Sequence, residues 1–295
     1  MPGLLKNLGF YDGKYDLIEN INIPMTDRVC WFGDGVYDAT ATRNGVIYCL
    51  DDHIDRFFNS ASMVEIEIPY TKDELKELLL DLVSKVDTSE TNGETFLYWQ
   101  ITRGANIPRN HIFPKNAKAN LWVTVTPRKL ADIYRRAKII TYEDIRFYMC
   151  HIKTLCLLPS VLASEAAERA GAEECVMYRK EADGIKNRVT EGAHTNVHCL
   201  KDGKLYTAPL DNLVLPGIAR KNLIKVCNKL GVPVVEEPYS LEFLLDADEI
   251  MLSSSSNFCI VATHIDDKEV GGKAGELLRK IQDALVEDYI TSTNI

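Results

Sequence analysis

HIKTLCLLPSV, residues 151–161, carries one formally charged side chain among apolar neighbours. Lys153 is the only such residue between Arg146 and Glu165, and Ile152, Leu155, Leu157, Leu158, Val161 and Leu162 surround it in sequence. Burying an ammonium costs on the order of several kcal/mol. One reading is a surface lysine whose stem lies over apolar neighbours. The other is an amine nucleophile, its pKa lowered by burial so that it can form a Schiff base. The residue falls at the end of an expected strand, before a helix starting near Pro159, where reactive groups are often placed.

The 295 residues suffice for one large domain or two ordinary ones. A hydrophobic share of 46% and a charged share of 26% predict an ordinary globular protein. The net charge of −9 argues against a nucleic-acid partner, since phosphate binding needs a basic surface. No apolar run approaches the roughly 20 residues of a membrane span. MPGLLKNLGFYDG lacks a signal-peptide layout, so a cytoplasmic protein without a membrane partner is expected. The eight cysteines form no CxxC pair and sit mostly in apolar runs, which predicts free thiols.

In the first half, IENINIPMTD, GVYDATATRNGVIYCL, TFLYWQITRG and ANLWVTVTP read as strands, with a hairpin turn at Arg43-Asn44-Gly45. Thr71-Lys72-Asp73-Glu74 is a capping box ahead of Leu75, Leu78, Leu79 and Leu82 at helical spacing, and a further helix is expected over 51–62. The pattern lapses at TPRKLADIYRR. We therefore expect an N-terminal domain over 1–126, a linker over 127–136 and a C-terminal domain over 137–295 that includes Lys153. In the second half, strands are expected at 137–141, 147–153, 174–180, 188–191, 195–200, 204–208 and 248–254. Helices are expected at 159–170, 217–230 and 273–288, the first two ending at Gly171 and Gly231. The fold class is α+β, two mixed domains.

Four more stretches carry chemistry. In RVTEGAHTNVH (188–198), Glu191 is either a solvated strand-end carboxylate or a buried acceptor facing a protonated ring nitrogen. His194 and His198 stand four apart on a strand pattern with no third ligand nearby, so no metal is expected. In NLVLPGIARKN (212–222) a Pro-Gly turn opens a helix whose first amides, Ile218 and Ala219, suit an anion such as phosphate. LSSSSNF (252–258) is either a polar loop or a set of hydroxyl donors, among them Ser254 and Ser255. In RGANIPRNHIFP (103–114), Arg109 and His111 are two donors two residues apart, either on an exposed basic loop or poised for a carboxylate.

Taken in order, FGDGVYD (32–38), HIDR (53–56), ITRG…PRNH (101–111), DIRFYMCHIKTLCLL (144–158), RVTEGAHTNVH (188–198), LPGIAR (215–220) and DEIMLSSSSN (248–257) resemble the class IV, or fold type IV, pyridoxal-phosphate aminotransferases. Within that family they look most like the D-amino-acid aminotransferases. The resemblance spans the chain from near residue 10 to near residue 285. It implies two mixed α/β domains with pyridoxal 5'-phosphate between them, and a homodimer acting on amino acids and 2-oxo acids. Lys153 is then the Schiff-base lysine and proton shuttle, and Glu191 the partner of the pyridine nitrogen. Arg56, the Ile218 and Ala219 amides, Ser254 and Ser255 are implied at the phosphate, and Leu215 against the ring. Tyr37 is implied near the cofactor's phenolic oxygen and the substrate carboxylate. Arg109 and His111 match the carboxylate trap of the D-amino-acid branch, where it reaches in from the neighbouring subunit.

The chain departs from the family pattern at Ala193-His194-Thr195, where close relatives carry serines. It departs again in a trap loop one residue longer over Ala105–Pro108, and in an extended stretch over Lys180–Lys186. His194 is a candidate for altering the hydrogen bonding of Glu191 or narrowing the pocket. The implied reaction is ping-pong transamination between a D-alanine-like amino acid and 2-oxoglutarate or pyruvate. Branched-chain L-aminotransferase, (R)-amine transaminase and 4-amino-4-deoxychorismate lyase activities remain alternatives on the same fold. A non-catalytic binding protein is the alternative outside it.

Overall fold

The computed structural model describes residues 3–294. Their contacts divide into two units. The first holds the chain up to Leu130, Ile152–Cys156 and the C-terminal residues from Thr291; the second holds Ala131–His151 and Leu157–Ile290. The division falls between Leu130 and Ala131, inside the stretch expected as a linker. That stretch is shorter than expected, because strands run through Pro127 and resume at Arg136.

The first unit is a twisted antiparallel sheet covered by helices. Its elements are β1 (Leu8–Tyr11), β2 (Lys14–Asp16), α1 (Arg28–Phe32), β3 (Gly35–Arg43), β4 (Val46–Ile47), α2 (Leu50–Met63), α3 (Lys72–Val83), β5 (Glu94–Thr102) and β6 (Asn120–Pro127). The strands are ordered β2-β1-β6-β5-β3-β4. Asn44 and Gly45 both take positive φ in the β3–β4 turn, as a tight hairpin requires. The capping box forms: Glu74 N donates to Thr71 Oγ1 at 3.2 Å, and Thr71 N donates to Glu74 Oε2 at 2.7 Å.

Strand alternation decides what each face of β3 does. Val36, Asp38 and Thr40 pair across to Ile101, Trp99 and Leu97, all fully buried. Ile54, Phe57, Leu75 and Leu79 of α2 and α3 join the same core. Each such burial contributes roughly 1.5–3 kcal/mol, so this face orders the unit. Tyr37 takes the opposite face, across from Gln100.

The second unit is a mixed sheet. It comprises β7 (Arg136–Glu143), α4 (Leu158–Arg169), β8 (Glu174–Ala182), β9 (Ile185–Val189), β10 (Asn196–Lys201), β11 (Lys204–Thr207), α5 (Ile218–Lys229), β12 (Val234–Glu236), α6 (Leu241–Leu245), β13 (Glu249–Ser253), β14 (Ile260–Ile265), β15 (Lys268–Glu269) and α7 (Gly275–Ser292). The order is β12-β11-β10-β13-β14-β7-β8-β9, with β15 beside β14. The parallel neighbours β7 and β8 are joined through α4, and β11 and β12 through α5, because parallel pairing needs a long crossover. Gly171 and Gly231 follow α4 and α5 at φ +67° and +73°, as expected of helix stops. Lys180–Lys186 lies in the β8–β9 hairpin.

Three expectations need correction. IENINIPMTD makes a short 3₁₀ turn at Ile18–Asn20 and then irregular backbone, where Pro24 offers no amide to a ladder. No strand forms over 147–153: Phe147, Tyr148 and Met149 are exposed, and only Thr154 makes a bridge, to Val36. Lys153 belongs with the first unit, because its carbonyl accepts from Tyr37 N at 2.9 Å and Leu155 N donates to Gly35 O at 3.0 Å. Gly35 is needed for that approach. A Cβ there would lie 2.6 Å from Leu155 Cδ1 and 2.5 Å from the Ile101 carbonyl oxygen.

Candidate active site

In the first unit, Ile152–Cys156 lies antiparallel along the start of β3 and brings Lys153 over Tyr37. Lys153 Nζ stands 4.4 Å from the Tyr37 ring centroid, and its backbone N donates to Ser60 Oγ at 3.3 Å. Lys153 is half-buried. The apolar residues that follow it do not enclose it, for Leu158, Val161 and Leu162 are exposed. The Tyr37 ring, rather than those three side chains, is the apolar surface beside its amine. Tyr37 stacks in turn on Tyr98, with ring centroids 5.4 Å apart.

Behind Tyr37, on the covered face of β3, Asp38 gathers two α2 residues. Arg56 donates from Nε to Oδ2 at 2.9 Å and from Nη2 to Oδ1 at 2.6 Å, while His53 Nδ1 lies 2.7 Å from Oδ1. Burial pushes the Asp38 carboxyl up, but the Arg56 guanidinium and His53 outweigh it and hold the group well below the usual carboxylate range. His53 moves down from its ordinary value, chiefly by burial. The sequence reading named Arg56 but gave Asp38 no role. An acid at an inward-facing strand position, two residues from Val36, was the available signal.

On the exposed loop after β5, Arg109 and His111 converge on one ring. The Arg109 guanidinium lies 4.4 Å from the Phe32 centroid, and the His111 ring lies 4.9 Å from it. The two expected carboxylate donors are therefore close together.

In the second unit, Glu191 is buried just after β9. Its Oε1 accepts from Arg146 Nη1, and its Oε2 accepts from Asn196 Nδ2 and Leu215 N, each at 3.0 Å. A carboxylate has about four acceptor sites. Three are taken here, which leaves room on Oε1 for one further donor. Burial raises the Glu191 carboxyl above its ordinary value, and Arg146 opposes the rise. Arg146 is itself shared: its Nε and Nη2 donate to Asp144 Oδ1 and Oδ2 at 3.0 and 2.9 Å. Asp144 also accepts from Thr190 Oγ1 at 2.9 Å. The sequence reading missed Arg146, Asp144 and Asn196, although the first two sit in the quoted DIRFYM stretch.

Asn196 links this carboxylate to the start of α5. Its Nδ2 also donates to the Leu215 carbonyl at 3.0 Å, and a Cβ on Gly217 would lie 1.9 Å from its Oδ1. Only glycine fits that turn. Gly217 is the N-cap of α5 and supplies no side-chain acceptor to the first amides, while Ile218 and Ala219 are buried behind it. Such a helix start favours an anion. Asn196 pairs across to Ser253, so the hydroxyls of Ser254 and Ser255 begin one residue beyond that position, and Ser254 Oγ lies 3.2 Å from Ser256 Oγ.

The two histidines of the motif serve other ends. His194 Nδ1 faces Glu174 Oε2 at 2.9 Å, so it turns to a different carboxylate from Glu191. Glu174 also accepts from the amides of Cys175 and Ala193 at 2.8 and 3.1 Å and braces the loop that follows Glu191. His198 is buried between Thr207 Oγ1 at 3.0 Å and Ser253 Oγ at 2.8 Å, and burial drives its pKa down to about 3.

The family model for amino-transferase class IV matches residues 35–265. A D-alanine aminotransferase of Listeria monocytogenes serotype 4b is 36% identical over 277 residues, covering 92% of each chain. Another, of Staphylococcus haemolyticus, is 35% identical over 96% of this chain and 98% of its own. Among solved structures, the Escherichia coli branched-chain amino acid aminotransferase superposes with a TM-score of 0.85 at 21% identity, over 98% of this chain and 96% of that one. The branched-chain aminotransferase of Thermoproteus uzoniensis, solved with norvaline, gives 0.83 at 19% identity, over 97% and 96%. At that identity these structures speak for the fold alone, and they agree with the α+β class. The family model spans well over half of the chain and takes in Tyr37, Arg56, Arg109, Lys153, Glu191 and the α5 start, so this protein belongs to the class IV aminotransferases.

Proposed function

We propose that this aminotransferase moves the amino group of a D-amino acid, D-alanine foremost, to 2-oxoglutarate or pyruvate, with pyridoxal 5'-phosphate as its cofactor. The observation that carries the reading is the 36% identity to a D-alanine aminotransferase over 92% of both chains. The donor set fits the cofactor: a primary amine, an acceptor site left on a buried carboxylate, and an α5 start with no side-chain cap.

When bound, pyridoxal phosphate supplies the electron sink that lets a proton leave the substrate α-carbon. In the first unit, Lys153 Nζ is the base that takes this proton and the acid that returns it, in each half-reaction. The Arg56 guanidinium, held by Asp38, would bind the phosphate. Tyr37 lines the space beside the Lys153 amine. Arg109, with His111 beside it, takes the carboxylate shared by every amino and oxo acid in the reaction. In the second unit, Glu191 would offer its remaining Oε1 acceptor site to the ring N–H, its three donors working for the charged form against burial. Leu215 would pack against the ring. The Ile218 and Ala219 amides and the hydroxyls of Ser254 and Ser255 would hold the phosphate.

The protein acts as a homodimer in this reading, supported by the exposed apolar side chains of Phe147, Tyr148, Leu158 and Val161. All eight cysteines are free, which suits a reducing cytoplasmic setting. No helix among the described residues is long and apolar enough to cross a membrane.

The test is a panel of D- and L-amino acids with 2-oxoglutarate as acceptor and purified, cofactor-loaded protein. D-alanine should give pyruvate and glutamate, and its L-isomer should be far slower. Transamination of L-leucine with D-alanine ignored would overturn the substrate. Pyruvate released from 4-amino-4-deoxychorismate without an acceptor would indicate a lyase.

A further inference from the structure

Arg28 stands at the start of α1 and is only 3% exposed. Its Nε donates to Asp34 Oδ2 at 2.6 Å. The rest of its fork goes to backbone: Nη1 donates to the Asn110 carbonyl at 2.5 Å, Nη2 to the His111 carbonyl at 3.2 Å, and Nη1 again to the Ile112 carbonyl at 3.4 Å. Three successive carbonyls of the loop that carries Arg109 and His111 thus rest on one guanidinium. The Arg28 guanidinium also lies 4.8 Å from the centroid of Phe32, the ring that Arg109 and His111 approach.

The loop itself is exposed and irregular. Arg109 through Phe113 are exposed, and no strand forms between Thr102 and Asn120. Its root is stitched to the chain around the start of α1, for Arg28 N donates to Gly104 O at 2.9 Å and Asn106 N to Thr26 O at 3.1 Å. Its far side is pinned by Arg103, whose guanidinium lies 3.5 Å from the Phe113 centroid and whose Nε shares Asp34 at 3.0 Å. Burying an arginine is costly unless its donors are used. A planar fork is the group that can engage several carbonyls at once, which an ammonium or an apolar side chain cannot.

We propose that Arg28 is a positioning residue for substrate binding: it holds the Asn110–Ile112 backbone so that Arg109 and His111 meet a substrate carboxylate together. The inference rests on the role given above to those two residues. Arg28 touches neither substrate nor cofactor. Its removal should therefore weaken every carboxylate substrate alike and leave the chemical step in place.

The experiment compares the cofactor-loaded wild type with Arg28→Gln, Arg28→Lys, Arg109→Ala and the Arg28→Gln/Arg109→Ala pair. KM and kcat are measured for D-alanine and for 2-oxoglutarate, and cofactor affinity by absorbance titration. Arg28→Gln should raise both KM values about tenfold with kcat within about threefold and cofactor affinity unchanged. Arg28→Lys keeps the charge but not the fork, and should raise KM about threefold. In the double variant KM should be little above that of Arg109→Ala, because Arg28 acts through the loop. If Arg28→Gln does not fold, Arg28→Lys carries the same test. Unchanged KM values in the Arg28 variants, with Arg109→Ala impaired, overturn the inference alone. So does a fall in kcat and cofactor affinity with KM unmoved, the mark of a general structural role. If Arg109→Ala also leaves KM unchanged, the trap itself is misassigned and both readings fall.

Discussion

Each unit buries a carboxylate against an arginine, and the two pairs differ in direction. Asp38 takes two donors from Arg56 and faces His53, and these partners drive its carboxyl down despite full burial. Glu191 faces an arginine already committed to Asp144, and its carboxyl is left above its ordinary value. The difference lies in how the cation is shared. Arg56 meets Asp38 through a two-point fork, so the pair acts as a fixed mount for the guanidinium. Arg146 is divided between two acids, so it offsets less of the cost of burial at Glu191, and the Glu191 carboxylate has one acceptor position not taken by Arg146, Asn196 or Leu215. One acid aims an arginine; the other presents itself.

Three substitutions can break that contrast. The largest effect belongs to the amine proposed to move the proton. Lys153→Ala should lower kcat by roughly 10³-fold, within the span for removing a general base, and should still retain cofactor on dialysis. Turnover near the wild-type level would remove Lys153 from its role. Next, Glu191→Gln keeps the size and removes the charge, and kcat should fall about 10²-fold, as for loss of a preorganised electrostatic group. Asp38→Asn should act elsewhere. It removes the acid that Arg56 forks onto, so denaturant melts should show a loss of roughly 3 kcal/mol, with weaker cofactor phosphate binding and a kcat at saturating cofactor that falls far less than in Glu191→Gln. Equal losses of kcat in the two variants would erase the distinction drawn between them.

Much of this was legible in the chain. Period-two alternation and the Arg43-Asn44-Gly45 turn located β3 and its hairpin, and the Thr71 box located α3. Glu191, the Pro216-Gly217 turn and the serine run stand in local motifs, so the sequence could name them as candidates. What escaped was long-range. Arg28 meets carbonyls 82 to 84 residues away, and Arg146 meets Glu191 at a separation of 45. No local pattern marks such partners. The failure at 147–153 has a related cause. An apolar run predicts burial, but Phe147, Tyr148 and Met149 are exposed in the chain as it stands, and the ladder that would make them a strand is absent. Lys153 was placed with the wrong unit because a chain can cross between folding units for five residues without a change in composition.

The smallest effect is the sharpest test of the comparison, because the two acids should respond to pH with opposite signs. Asp38 has a folded pKa below its ordinary value of 3.8. The unfolded chain therefore binds the proton more readily, and the stability Asp38 contributes is full above that value and lost as pH falls through and below it. His53 adds the same sign at a higher pH: its folded pKa lies below 6.5, so protonation of the unfolded chain erodes stability as pH drops past that point. Glu191 runs the other way. Its folded pKa lies above 4.5, so its contribution is full below that value and declines as pH rises through the folded pKa. Melting temperatures of wild type, Asp38→Asn and Glu191→Gln, measured from about pH 3.5 to about pH 8 at fixed ionic strength, separate the two. The gap between wild type and Asp38→Asn should widen as pH rises from the acid end. The gap between wild type and Glu191→Gln should narrow over the same climb. Parallel curves would mean that Arg146 holds Glu191 as firmly as Arg56 holds Asp38, and that the shared cation makes no difference.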